Sequence, residues 1–178
     1  MSGRPETFAT PMPREVLESA ARVMALAHER DLKLSIAESC TGGLLAALLT
    51  DVEGDAHAFE RGFVTYTDQS KQDLLSVPAA LIAEHSAVSA QVAMAMATGA
   101  LFGSQGHIAL STTGFAGPGA KGEESGLVYF GLARPDRPAI AVERHFHDGG
   151  RAAVRRAAAA AGLAILEAAL RGAEDFDA

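Results

Sequence analysis

A chain of 178 residues has the length of one ordinary domain and buries about 70% of the surface its unfolded form exposes, so it needs no disulfide or metal staple. Lys and Arg total 15 against 22 Asp and Glu, a formal charge of −7, which argues against a general binder of nucleic acid or anionic membrane, because counterion release takes a basic face. The single cysteine, Cys40, excludes an internal disulfide framework, no apolar run approaches the roughly 20 residues that span a bilayer, and residues 1–6 lack the apolar segment of a signal peptide, so the expectation is a soluble, cytoplasmic single domain.

Residues 1–12 carry Pro5 and Pro11 without an apolar period and read as a flexible arm. Over 13–30, Val16, Leu17, Ala20, Val23, Met24 and Ala27 recur at three- and four-residue steps, which predicts an amphipathic helix entered at Pro13. Residues 33–37 read as a short strand, 38–43 as a turn and 44–52 as an apolar helix. A second strand is predicted over 62–66, short helices over 68–75 and 78–85, and a helix capped by Ser89 through Leu101. A third strand falls at 107–112 and a glycine-rich loop at 113–126. Strands at 127–133 and 139–146 are joined by a turn at 134–138. An Ala-rich helix fills 151–170, and 172–178 form an acidic tail. Strands alternating with helices predict a three-layer α/β/α sandwich with a mixed, mostly parallel sheet of about five strands, the last two forming an antiparallel hairpin. Residues 13–171 read as one domain, with no internal repeat and no linker.

Four constellations carry chemical potential. Glu38-Ser39-Cys40-Thr41-Gly42-Gly43 turns from a strand into a helix. Small residues there let a ligand approach backbone N–H groups, and the helix dipole favours negative charge. Ser39 stands where a hydroxyl attacks a carbonyl whose oxyanion meets those amides. The same residues also make an ordinary capping turn, and Cys40 is either an alternative nucleophile or a small buried hydrophobe. Tyr66-Thr67-Asp68-Gln69-Ser70-Lys71 leads from the second strand into a helix. Lys71 serves Ser39 as a base if desolvation lowers its pKa; the ordinary fate of a lysine is a solvated surface.

The third constellation runs from Ser111 through Thr113, Gly114, Ala116, Gly117 and Gly119 to Gly122 and offers a backbone nest for an anion. It is not a Walker A loop, because Ala120 stands where that motif requires Lys. The fourth runs from His147 and Asp148 to Arg151 and Arg155. Arg151 opens the last helix, where a cation opposes the dipole, which hints at an anionic ligand; a solvated arginine or a pair with Asp148 explains it equally. His145 and His147 point the same way along a strand, but no further ligand spacing supports a metal site.

Three of these blocks, Ala37-Glu38-Ser39-Cys40-Thr41-Gly42-Gly43, Arg61 through Tyr66 to Lys71, and Thr113-Gly114-Phe115-Ala116-Gly117-Pro118-Gly119, together resemble the CinA C-terminal domain family over about residues 13–170. Its stand-alone members include bacterial nicotinamide mononucleotide deamidases of the PncC type. The resemblance implies a three-layer α/β/α fold and hydrolysis of the carboxamide of nicotinamide mononucleotide to nicotinic acid mononucleotide and ammonia, in pyridine-nucleotide recycling. It implies Ser39 as nucleophile with Lys71 as its base and Tyr66 beside them. Thr41, Gly42, Gly43, Thr113, Gly114, Ala116, Gly117 and Arg151 are the substrate-binding positions implied. No metal and no cofactor is implied, and a homo-oligomer is expected from the family and the Ala-rich helix. The chain departs from the family pattern at Asp68, where Asn is usual, at His147, where Gly is usual, and at Ala120-Lys121. A carboxylate at 68 would oppose a free lysine base. Longer members carry an N-terminal pyrophosphatase-like domain, and that activity is not expected of these residues. The alternative function is a non-catalytic phosphate-ligand module or a regulatory interaction module linked to competence and damage.

Overall fold

The computed structural model describes residues 10–117, 124–146, 149–173 and 176. The arm expected at 1–12 falls outside them over 1–9, the acidic tail over 174–175 and 177–178, and His147, Asp148 and residues 118–123 of the glycine-rich loop also lie outside.

Strand β1, Leu34–Glu38, is buried along its whole length, as a strand covered on both faces must be. It pairs in parallel with β2, Phe59–Val64, on one side and with β3, Ile108–Gly114, on the other. Strand β4, Leu127–Arg134, runs antiparallel between β3 and β5, Arg137–His145. The order is β2-β1-β3-β4-β5, and β4 alone runs against the other four. Helices α1 (Arg14–Glu29), α2 (Leu44–Thr50) and α6 (Gly150–Leu170) pack on one face around Met24, Leu45 and Leu163. Helices α3 (Asp68–Leu75), α4 (Ala79–His85) and α5 (Ala90–Phe102) pack on the other around Leu75, Val92 and Met96. The three-layer sandwich and the mixed sheet therefore stand as the sequence predicts.

The chain leaves β1 into α2 on one face and leaves β2 into α3 on the opposite face. Connections that part in this way open a crevice beyond the carboxyl ends of the two strands. Ser39 and Thr65–Lys71 follow those ends.

Besides shifts of one or two residues at bounds such as those of β1 and α2, the elements differ from the sequence prediction at β2, β3 and the β4–β5 hairpin. Strand β2 starts at Phe59 and ends at Val64, earlier than predicted, because an edge strand with Glu60 and Arg61 on it shows little apolar alternation. Strand β3 runs on through Thr113 and Gly114, which pair with Tyr129 and Val128, so the glycine-rich loop starts two residues later. The hairpin turn is only Pro135-Asp136, since Arg134 already pairs with Arg137. The alanines of α6 have a local use as well. Ala158, Ala159 and Ala169 are buried in the chain's own core on the face that also holds α1 and α2.

Candidate active site

The main chain fixes Ser39 first. Its N–H donates to the Thr112 carbonyl (2.9 Å), and the Glu38 carbonyl accepts from Thr65 N–H (2.8 Å). Both parallel ladders thus extend one step past the end of β1 and hold Ser39 between β2 and β3. Helix α3 then brings the lysine. Thr67 caps it in a capping box with Ser70, the arrangement in which each residue's side chain bonds the other's N–H. Lys71 lies one turn in and points inward, 1% exposed. Its Nζ sits 3.2 Å from Ser39 Oγ and 3.2 Å from the Thr65 carbonyl oxygen, within reach for proton transfer.

Burial pushes the Lys71 pKa below its ordinary value, against the pull of the negative charge at Asp68. The opposition from Asp68 foreseen in the sequence exists, and desolvation outweighs it. Burial drives the Cys40 thiol the other way, up to about 11, against hydrogen bonds from Thr112 and from the Cys40 and Thr41 amides. A thiol so placed is protonated at neutral pH and is a poor nucleophile. Ser39 Oγ therefore has the buried Lys71 amine beside it, whereas the Cys40 thiol is buried in the lining of the cleft.

A cleft of about 220 Å³ opens above this pair. Ser39, Cys40 and Lys71 form its floor; Tyr66, Asp68, Ala87, Val88, Thr113, Gly114, Phe115, Ala116 and Arg151 form its walls. Thr113 donates its hydroxyl to the Ala87 carbonyl (2.7 Å), which ties the end of β3 to the segment before α5. At Gly114 a Cβ would come within 2.6 Å of the Leu127 carbonyl, so only glycine lets the hairpin close there. Gly117 packs against Arg151 instead of facing the cleft. Arg151, in the first turn of α6, donates to the exposed Tyr66 hydroxyl (2.9 Å) across the rim.

The turn after Ser39 differs from the sequence prediction. Thr41, Gly42 and Gly43 are absent from the cleft wall. The Thr41 hydroxyl is buried against Thr112 (2.7 Å), and its carbonyl accepts from Arg155 (2.7 Å). Gly42 N–H donates to the Ser39 carbonyl (3.1 Å). Gly43, Leu45 and Ala46 donate their N–H groups to the Glu38 carboxylate at 3.0, 3.1 and 2.7 Å. The anion that the start of α2 favours is thus supplied by the chain itself. Sequence reasoning gave Glu38 no role, because a carboxylate five to eight residues upstream of the amides it caps matches no local capping pattern.

Among the described residues, no three His, Cys, Asp or Glu side chains converge as a metal centre needs. His145 engages Glu124 (2.6 Å) and Glu143 (2.8 Å) through its two ring nitrogens.

The family described as the CinA C-terminal domain matches residues 17–170. This chain belongs to the CinA C-terminal domain family. A CinA-like protein of Geobacter sulfurreducens is 46% identical over 143 residues, covering 79% of this chain and 34% of that protein. One of Citrifermentans bemidjiense is 48% identical over 136 residues, covering 75% and 32%. The chain spans about a third of the length of the curated relatives it matches. Among solved structures, the competence/damage inducible protein CihA from Agrobacterium tumefaciens superposes with a TM-score of 0.85 at 36% identity, covering 91% of this chain and 99% of that one. A CinA superfamily protein from Escherichia coli gives 0.81 at 30% identity, covering 94% and 99%. Among the described residues no helix is long and apolar enough to cross a membrane.

Proposed function

We propose that the chain is an amidohydrolase that deamidates nicotinamide mononucleotide to nicotinic acid mononucleotide and ammonia. The observation that carries this reading is the 3.2 Å approach of a buried lysine amine of lowered basicity to Ser39 Oγ. A neutral amine next to a hydroxyl supplies the base that a serine nucleophile needs. Lys71 takes the Ser39 proton as Oγ adds to the carboxamide carbon. The tetrahedral oxyanion is held by the Gly114 and Ala116 amides of the cleft wall, the Phe115 N–H being committed to the Leu127 carbonyl (2.9 Å). Collapse breaks the C–N bond, and Lys71 returns the proton to the departing ammonia. Water, deprotonated by Lys71, then cleaves the acyl-serine ester to release the acid and free Ser39.

Size and charge support this substrate class. A cavity of about 150 Å³ accommodates benzene, so the cleft of about 220 Å³ holds an aromatic carboxamide and leaves the rest of a nucleotide at the open rim. Arg151 and Tyr66 stand on that rim, and a guanidinium there suits the 5′-phosphate.

The test is ammonia release from the mononucleotide by the purified protein. Ser39→Ala is expected to lower kcat roughly a thousandfold or more while the far-UV CD spectrum and Tm hold. Wild-type-like turnover by that variant removes Ser39 as nucleophile. The names of the relatives speak of competence and damage. Binding of the mononucleotide without any ammonia would support the non-catalytic alternative.

A further inference from the structure

We infer that Glu38 is the positioning residue of the nucleophile turn, holding Ser39 Oγ at Lys71 Nζ by spanning the turn from both sides. The inference rests on the Ser39–Lys71 reading above. Glu38 is 1% exposed, yet among the described residues no cationic side chain bonds its carboxylate; it accepts the N–H groups of Gly43, Leu45 and Ala46 at 3.0, 3.1 and 2.7 Å. Charge-assisted bonds to backbone amides are among the stronger hydrogen bonds in proteins. The main chain of the same residue is fixed independently, through its carbonyl to Thr65 N–H at 2.8 Å. One residue thus anchors the end of β1 to the chain leaving β2, and anchors the start of α2 to itself. Ser39 is the next residue, and the intervening turn cannot rotate without breaking one anchor.

The backbone is shaped to permit this. Gly42 and Gly43 adopt φ values of +60° and +90°, a left-handed path that side chains disfavour, and it curls the start of α2 back over Glu38. No side chain caps α2 from its N-cap position, which is Gly43. A Ser or Asn there would satisfy one or two of the same amides but would leave Ser39 without a fixed reference. A cap reaching across the nucleophile does both. It also means that a substrate anion finds the α2 amides already taken, which leaves the rim at Arg151 as the place for negative charge.

The experiment measures the rate at which a fluorophosphonate probe labels Ser39, followed by intact mass and peptide mapping, so it needs no knowledge of the substrate. Glu38→Gln keeps the side-chain shape but replaces an acceptor oxygen with an amide NH2 donor that faces an N–H; Glu38→Asp keeps the charge and shortens the reach. Glu38→Gln is expected to slow labelling of the folded protein about a hundredfold, the usual consequence of a displaced reacting group. Glu38→Asp should fall between Gln and wild type and serves as the second variant if Gln fails to fold. With turnover, kcat falls in step while KM stays within about threefold, and the acid limb of the pH profile keeps its midpoint because Lys71 stays buried. A fall in Tm with labelling at the wild-type rate shows a merely structural cap and overturns the inference. Failure of wild type to label at Ser39 overturns both this inference and the dyad. Labelling of wild type without ammonia release removes the proposed substrate and leaves the role of Glu38 standing.

Discussion

Lys71 illustrates how one side chain couples reactivity to stability. The residue is 1% exposed and its amine is bonded to a hydroxyl and a carbonyl, with no carboxylate among the described residues in hydrogen-bond contact, so protonation in the folded state is penalised and its pKa falls below the ordinary lysine value. Between the lowered folded value and the ordinary unfolded one, the unfolded chain holds a proton that the folded chain lacks. Stability therefore rises with pH across that window, and the full penalty remains below it. Lys71→Met removes the penalty while keeping an unbranched chain of similar length. It is expected to raise Tm near neutral pH by about 3 °C for each kcal/mol relieved, to flatten the rise in stability toward alkaline pH, and to abolish turnover. Thermal melts at pH 7 and 9.5 beside the ammonia assay check all three. In wild type, kcat/KM is expected to rise with pH as Lys71 loses its proton. Asp68 holds that pKa up, so Asp68→Asn should move the acid limb to lower pH. An unmoved limb would mean that Lys71 is not the titrating base.

Helix α3 delivers Lys71, and its placement depends on contacts on both sides. The Thr67–Ser70 capping box fixes its start; the sequence predicts the helix over 68–75, as observed, because polar turn residues precede it, but not the reciprocal bonds of the box. Its far end rests on α5 through Gly99, where a Cβ would lie 1.9 Å from the Leu75 carbonyl oxygen. Backbone meets backbone there, and no side chain can move aside. Gly99→Ala is therefore expected to destabilise the fold by about 1–3 kcal/mol despite the better helix propensity of alanine, and to lower kcat in the protein that remains folded, because α3 must shift away from Ser39. Urea unfolding and steady-state kinetics report the two effects. That contact was not legible in the sequence, where Gly99 is simply a glycine inside a helical pattern. The Glu38 cap escaped for the same reason: its partners meet through the path of Gly42 and Gly43 and not through any fixed spacing. Strand β2, polar and at the sheet edge, was legible as a strand and misplaced in its bounds.

Across the whole molecule, the three layers and the crossing of the chain over β1 follow from the alternation of apolar strands and helices, which is why fold class and the sheet edge bearing the site were legible from sequence. The charge reading sharpened with the structure. Lys71, Arg151 and Arg155 are cations of a chain of net charge −7. Arg155 is bound to the Thr41 carbonyl beneath the turn and Lys71 is buried at the floor of the cleft, so among the described residues Arg151 is the cation at the rim. Two electrostatic effects then oppose each other for a phosphate ester: long-range repulsion by the acidic molecule and short-range attraction by Arg151. At about 0.1 M salt the screening length is about 10 Å, so added salt removes the repulsion before it greatly weakens a direct contact. Arg151→Gln is expected to raise KM for the mononucleotide about tenfold, the value of one hydrogen bond to a charged group, with kcat little changed. KM for the riboside, which lacks the phosphate, should not respond. In the variant the attraction of Arg151 is gone, so raising ionic strength should lower its KM, whereas wild type should show a rise or no change. Equal salt dependence in the two proteins, or an equal loss for the riboside, would place the phosphate elsewhere.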